Sequence, residues 1–326
     1  MKRDYLKRIG AVMLSLAVFV AFSFVVAPEA YAAKSKGKKY PVVVQIDRTW
    51  TYSNSWSEGE NSTGKSSTKF TYNKQGLCTG RSDEDGKVVF THSKKGYVTS
   101  EKIYDTDGKL QSRYVYKLKK NGDVSKEYYY EGTSKKASSV TSYTYYKKGV
   151  TKTMTTKDTD GYTYKVWFDK KGNVKKEVNS GNTEVYDKSK DEYVPGTYTS
   201  TTTNKNTLNK KGNAKKTIST TVYKDSKGNS NKTVSTITRS FKYKKGRIVK
   251  MVEKVTAKNT EGKTDYTETT TEVNTYTKKG YIKSSSSTTT TKYSDGDVST
   301  GKHTSTYKYK SIKVAKKYRH LYKVKK

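Results

Sequence analysis

Cysteine is nearly missing from this chain: Cys78 stands alone among 326 residues. That excludes an intrachain disulfide framework. With no second thiol nearby, it also excludes a Cys/His metal centre. Histidine is almost as scarce. His92, His303 and His320 are far apart, each beside Thr, Lys or Arg, and read as solvated side chains rather than a catalytic or metal set. Proline is limited to 3 residues, which argues against a disordered chain of the usual Pro-rich kind. Leu, Ile, Val and Phe are too sparse to build a thick apolar core. Acidic residues are outnumbered by basic ones, 30 to 67, giving a formal charge of +37. Such an excess disfavours compact shapes by self-repulsion.

The long apolar run occurs at the start. Lys2, Arg3, Lys7 and Arg8 precede a stretch from Ala11 to Val26 broken only by Ser15 and Ser23, and Ala30-Tyr31-Ala32 closes it. This is the pattern of a secretory signal peptide over residues 1–32, with a mature chain from about Ala33. The stretch is near the short limit for a spanning helix, but the small-x-small site favours removal. The expected location is secreted or extracellular, associated with the cell wall.

What remains is Thr, Tyr, Ser, Val and Lys, a strand-forming set, punctuated by glycine. Gly196, Gly212, Gly228, Gly246, Gly262, Gly280 and Gly296 recur at intervals of 16 or 18 residues. Such recurrence marks a repeat architecture, and even intervals suit strands whose side chains alternate faces. Closer spacing, as at Gly76, Gly86, Gly96 and Gly108, marks an earlier block of shorter strands. The reading divides the chain into a basic linker (33–40), a short-period block (41–180), a boundary or hinge (181–200), a long-period block (201–310) and a basic tail (311–326). Asp85-Gly86, Asp107-Gly108, Asn121-Gly122, Asp160-Gly161 and Asp295-Gly296 fit tight hairpins with two positive φ values. Lys95-Gly96, Lys171-Gly172, Lys211-Gly212, Lys245-Gly246 and Lys279-Gly280 fit type I turns with a left-handed Gly. A bulge is expected between Val234 and Ile237, which are out of phase. The fold class is all-β: an elongated antiparallel meander of hairpins, curled or split into two sheets.

An aromatic residue stands four positions before the glycine at Tyr72/Gly76, Tyr104/Gly108, Phe168/Gly172 and Tyr276/Gly280. These units resemble the Tyr-Asp repeat of the RHS/YD-repeat family of secreted bacterial proteins. The resemblance implies β-hairpin units wound into a shell or stalk at the bacterial surface, and it brings no activity.

The search for chemistry finds no catalytic constellation, no cofactor site and no metal loop. Asp83, Glu84, Asp85, Asp105, Asp107, Asp295 and Asp297 are turn residues, and Glu268 and Glu272 share one side of a strand without a cleft. An outer-membrane barrel needs an outward apolar band, which Ser284 to Thr291 cannot provide. The expected site is a cationic end: Lys313, Lys316, Lys317, Arg319, Lys323, Lys325 and Lys326 for polyanions, with Tyr307, Tyr309, Tyr318 and Tyr322 placed to stack on a ligand. The expected function is a non-enzymatic structural or adhesive element of the bacterial cell envelope. On this reading it is held by charge to anionic polymers or glycans, with no integral span after leader removal and only non-specific nucleic-acid binding. The alternative is a soluble binding module for a glycan or host protein, working through a Tyr-lined sheet face. The oligomeric state stays open.

Overall fold

The computed structural model describes residues 39–55, 61–147 and 149–322. The leader and most of the linker therefore lie outside the described residues. The chain opens with β1 (Lys39–Asn54) and β2 (Ser62–Tyr72). Short strands follow: β3 (Cys78–Asp83), β4 (Gly86–His92), β5 (Val98–Tyr104) and β6 (Leu110–Leu118). They continue as β7 (Val124–Glu131), β8 (Ser139–Tyr145), β9 (Thr151–Asp158) and β10 (Thr163–Phe168). The long strands begin at β11 (Val174–Asp187), β12 (Glu192–Leu208), β13 (Ala214–Asp225) and β14 (Ser230–Lys244). They end with β15 (Arg247–Lys258), β16 (Thr264–Tyr276), β17 (Ile282–Tyr293) and β18 (Val298–Lys313), before a 3-10 helix, Lys316–Tyr322.

Every strand pairs antiparallel with the next, as the meander requires. The ends then meet: β18 pairs antiparallel with β1 from Lys39↔Lys313 to Asn54↔Ser299. The 18-stranded sheet is closed. This corrects the expectation of a curled or split sheet, and the physical reason is edge removal. A long meander left open exposes two rows of unpaired backbone groups, and closure pairs both. A ring of this strand number is too wide for side chains to fill, so it encloses a lumen. Among the described residues, substantial contacts between strands run only between ring neighbours. Residues 181–200 form the facing arms of the β11–β12 hairpin, with Pro195 opposite Glu184.

One hairpin mould recurs. At the β2–β3 turn, Asn73 Oδ1 accepts hydrogen bonds from the N–H groups of Gln75 and Leu77, both 3.0 Å, and Gly76 takes φ +87°. Asp169, Asn209, Asp225 and Asn259 repeat this bonding two and four residues ahead. The acceptor side chain satisfies amides that the reversal strands, and glycine supplies the left-handed residue. Two sequence expectations change here. Among the described residues, the Asp-Gly turns place only glycine at positive φ, whereas Lys245-Gly246 has both residues there, at 50° and 80°. Pairing also passes through Val234 and Ile237 without a shift. No bulge is present: the two residues simply face opposite sides.

The apolar core is small. Leu77, Val314 and Tyr318 are its buried centre, with Tyr40, Ile312, Ala315, Leu321 and Tyr322 packed around them. It lies at one end of the barrel, where the C-terminal helix docks. Elsewhere the wall relies on cross-strand pairs such as Thr202–Thr221 and Thr270–Thr289, whose hydroxyls lie 2.9 and 2.8 Å apart. Such pairs contribute roughly 0.2–1 kcal/mol each.

Candidate functional site

Facing residues can be followed from ladder to ladder without changing sides. On the tall strands, Arg239 faces Glu253, Glu253 faces Thr270, and Met251 faces Glu272. Glu268 faces Thr291, and Arg48 faces Ser305. On the short strands, Phe90 faces Glu101, Glu101 faces Tyr114, and Tyr116 faces Glu127. Tyr143 faces Met154, and Val166 faces Glu177. This is the enclosed side. It carries the buried residues Ile46, Val166, Met251, Val255, Thr141, Thr217, Thr291 and Ser305, and also Glu253 at 3% exposure. Curvature explains the burial, because closure crowds side chains on the concave face. The other side holds Lys102, Lys126, Lys157, Lys165, Lys216, Lys232, Lys254 and Lys302 among threonines and serines.

The ring thus largely sorts its charges, with most strand carboxylates inside and most strand lysines outside; Asp47 and Glu184 are on the outer face. Inward cations are fewer, and Arg239 is committed: its Nε donates to Glu253 Oε2 at 2.5 Å and its Nη1 to Thr217 Oγ1 at 3.2 Å. Arg48 Nη1 donates to Thr68 Oγ1 at 2.7 Å. Near one rim, inward Asp187 pairs with Lys227, while several other inward carboxylates have neutral partners. Tyr116 donates to Glu101 Oε1 at 2.9 Å, Thr291 to Glu268 Oε2 at 3.3 Å, and Asn274 to Glu272 Oε1 at 2.6 Å. Tyr164 donates to Glu177. Neutral donors orient these carboxylates without cancelling their charge. Outside, Asp47 is the reverse case: hydrogen bonds from Gln45, Lys308 and Ser67 surround it, with Lys308 Nζ at 3.0 Å.

The described residues of the predicted cationic end divide between β18 and the C-terminal helix. Tyr307 and Tyr309 point to the lumen side of β18, and Tyr309 donates to the Ile282 carbonyl at 2.8 Å. Tyr318 is buried against Leu77 and Val314, while Tyr322 donates to the Gly76 carbonyl. Lys313 faces Lys39 at the seam, and Lys316, Lys317 and Arg319 lie on the 3-10 helix. Lys323, Lys325 and Lys326 lie outside the described residues. The structure does not gather these groups into one stacking surface. The inward carboxylates, which it does gather, went unrecognised. Their signal was present in the shared strand phase of Glu268 and Glu272, and in the opposite phase of Lys254 and Lys302.

Among the described residues no group of three or more His, Cys, Asp or Glu is arranged to hold a metal ion. No described helix is long and apolar enough to cross a membrane, which says nothing of strands.

No family model matches the sequence, and no curated protein matches it. Solved structures do. An outer membrane protein of Vibrio cholerae, OmpT folded in vitro, shares 11% identity at a TM-score of 0.35, covering 84% of this chain and 99% of its own. A mutant of Rh. blastica porin shares 9% at 0.36, covering 82% and 100%. A porin-like protein from Bacteroides uniformis shares 12% at 0.30, covering 87% and 100%.

Closure of the ring overturns several expectations. The chain is a closed barrel, not a shell or stalk of the RHS/YD-repeat type. The tyrosine-rich face expected to bind a glycan or host protein is the inner wall, so an adhesive cell-wall element or a soluble module with an open binding face is not what the fold presents. The expectations of no integral span and of anionic polymers as partners are withdrawn with them. An edge-free ring is the form in which sheets cross membranes.

Proposed function

We propose that this chain is a barrel of the cell envelope that admits small cationic solutes into a wet lumen lined by carboxylates and tyrosines, with no catalytic step. The sorting of charge across the closed wall carries this reading. Glu101, Glu127, Glu177, Glu268 and Glu272 share one enclosed face, and most have neutral partners. A charge-lined cavity with low-dielectric walls concentrates counter-ions, and tyrosine faces add cation–π attraction for alkylammonium groups. The export leader supports the envelope setting.

Equilibrium dialysis of purified barrel against a fluorescent alkylammonium dye and a sulfonated dye of similar size tests the reading. The cation should bind at least several-fold better than the anion. The combined variant Glu101→Gln, Glu268→Gln, Glu272→Gln should abolish that preference. Equal binding of the two dyes by the unmodified protein would refute it.

Edge-free closure favours a second reading, passage of the same solutes across a bilayer. Outward lysines oppose it, since a lysine at the midplane of a barrel costs about 2–4 kcal/mol. Cation-selective flux through proteoliposomes decides for this reading, and vesicles that stay sealed decide against it.

A further inference from the structure

Antiparallel strands send alternate turns to opposite ends of the barrel, and the two ends differ in chemistry. At the end shared with the C-terminal helix, the turns at Gly96, Gly172, Gly212 and Gly280 all read Lys-Lys-Gly. At the other end, the turns read Asp-Gly at Gly86, Gly108, Gly161 and Gly296 and Glu-Gly at Gly262. Turns touch at the lysine-bearing end. Gly122 lies against Tyr97 of the adjacent turn, Gly212 against Lys171, and Gly280 against Arg247. The C-terminal helix completes the circuit, with Tyr318 and Leu321 against Gly96 and the Lys313 backbone against Gly76. Open space surrounds Gly246 at this end and Gly108, Gly228, Gly262 and Gly296 at the other, so the ends differ in charge rather than in crowding. Turns meet at the far end too, as Gly86 does the Asp105 backbone, but their lysines sit in ion pairs such as Lys227–Asp187 at 2.8 Å and Lys263–Glu261 at 3.1 Å.

We infer that the lysine end is a collar that docks on an anionic lipid surface, with the barrel axis along the membrane normal. The shape selects this occupant. A ring of turns, each tipped with exposed lysines, presents its charges around a circuit. A sheet of phosphate headgroups meets that whole circuit at once, whereas a thin polyanion follows only part of it. The carboxylate-bearing end then faces away from the lipid, and cations enter the lumen from there. The proposal concerns a different surface from the lumen and stands without it.

Flotation of the full mature chain with phosphatidylcholine vesicles, with or without phosphatidylglycerol, tests the collar. Binding should require the anionic lipid and weaken as salt rises. The variant Lys94→Gln, Lys170→Gln, Lys210→Gln should lose about a hundredfold in affinity, at roughly fivefold per lysine. Removing the same charge from the wall, with Lys232→Gln, Lys254→Gln, Lys302→Gln, should cost less than about threefold. Circular dichroism and urea midpoints matching the parent show that both variants fold. Equal losses in the two variants, or binding to neutral vesicles, would overturn the inference. So would head-to-tail association of the parent in sedimentation that the collar variant abolishes, since the collar would then serve a second copy of the chain.

Discussion

The barrel has a short wall and a tall wall, built from the same residue types to different ends. Strands β3 to β10 run from 6 to 9 residues, and β11 to β18 from 12 to 17. Aromatic contacts occur on both walls. Tyr114 and Tyr129 meet at 5.1 Å between ring centroids, and Arg113 lies 4.2 Å from the Tyr130 ring. The tall wall adds Thr–Thr pairs such as Thr202–Thr221 and Thr270–Thr289, and encloses the Arg239–Glu253 ion pair. Ring contacts such as Tyr198–Tyr223 at 5.9 Å and Tyr281–Tyr309 at 5.4 Å hold the tall wall as well, so what separates the walls is strand length and the buried ion pair.

That contrast breaks most sharply at the ion pair. Arg239→Met leaves Glu253 enclosed and unpaired, and should cost about 3–5 kcal/mol in urea unfolding. A loss below about 1 kcal/mol would mean that the tall wall does not depend on it. Next come the turn glycines. Gly86 on the short wall has φ +136° with the Tyr104 carbonyl and the Asp105 backbone directly beside it. Gly86→Ala should therefore lose about 3 kcal/mol from strain and clash together. Gly262 on the tall wall has φ +79° and open space, so Gly262→Ala should lose only about 1 kcal/mol. A smaller effect is expected at Tyr116→Phe, which removes one hydrogen bond to Glu101 and should cost about 1 kcal/mol. The matching loss on the tall wall, Thr270→Val, should cost less.

The smallest predicted effect is shared by both walls. At Asp169 and Asp225 burial works upward, but it is outweighed by hydrogen bonds from the Asn173 and Asn229 side chains and from backbone amides, and both carboxyls are held below the usual range. A depressed folded value means the stabilisation is present above the unfolded value and is lost as pH falls through the folded one. Removing it with Asp169→Asn and Asp225→Asn should flatten the acid limb of the unfolding curve below about pH 4. Variants with an unchanged acid limb would show that the turns do not contribute there.

Strands and reversals were legible because they are local. Alternation in Tyr162, Tyr164, Val166 and Phe168 and the recurring glycines mark them directly, and β10 and its turns lie where these residues put them. Closure was not legible, because it depends on accumulated register through every ladder and on pairing Lys39 to Lys313, almost the whole chain apart. Without closure, inside and outside have no meaning. The phase difference between Glu268 and Lys254 then reads as decoration on a flat sheet. Both turn chemistries were visible as well, yet only the parity of the strand count shows that they collect at opposite ends. Tyr318 and Tyr322 looked like ligand-stacking residues because lysines flank them. Docking of the final helix on Leu77 and Gly76 turns them inward.

The seam between β1 and β18 is the most direct test of the account. Thr49 and Thr304 are partners across it. With Cys78→Ser as background, Thr49→Cys and Thr304→Cys treated with a short bifunctional thiol reagent should give an intramolecular cross-link in monomeric protein. Absence of that link, or links only between separate molecules, would contradict the closed ring.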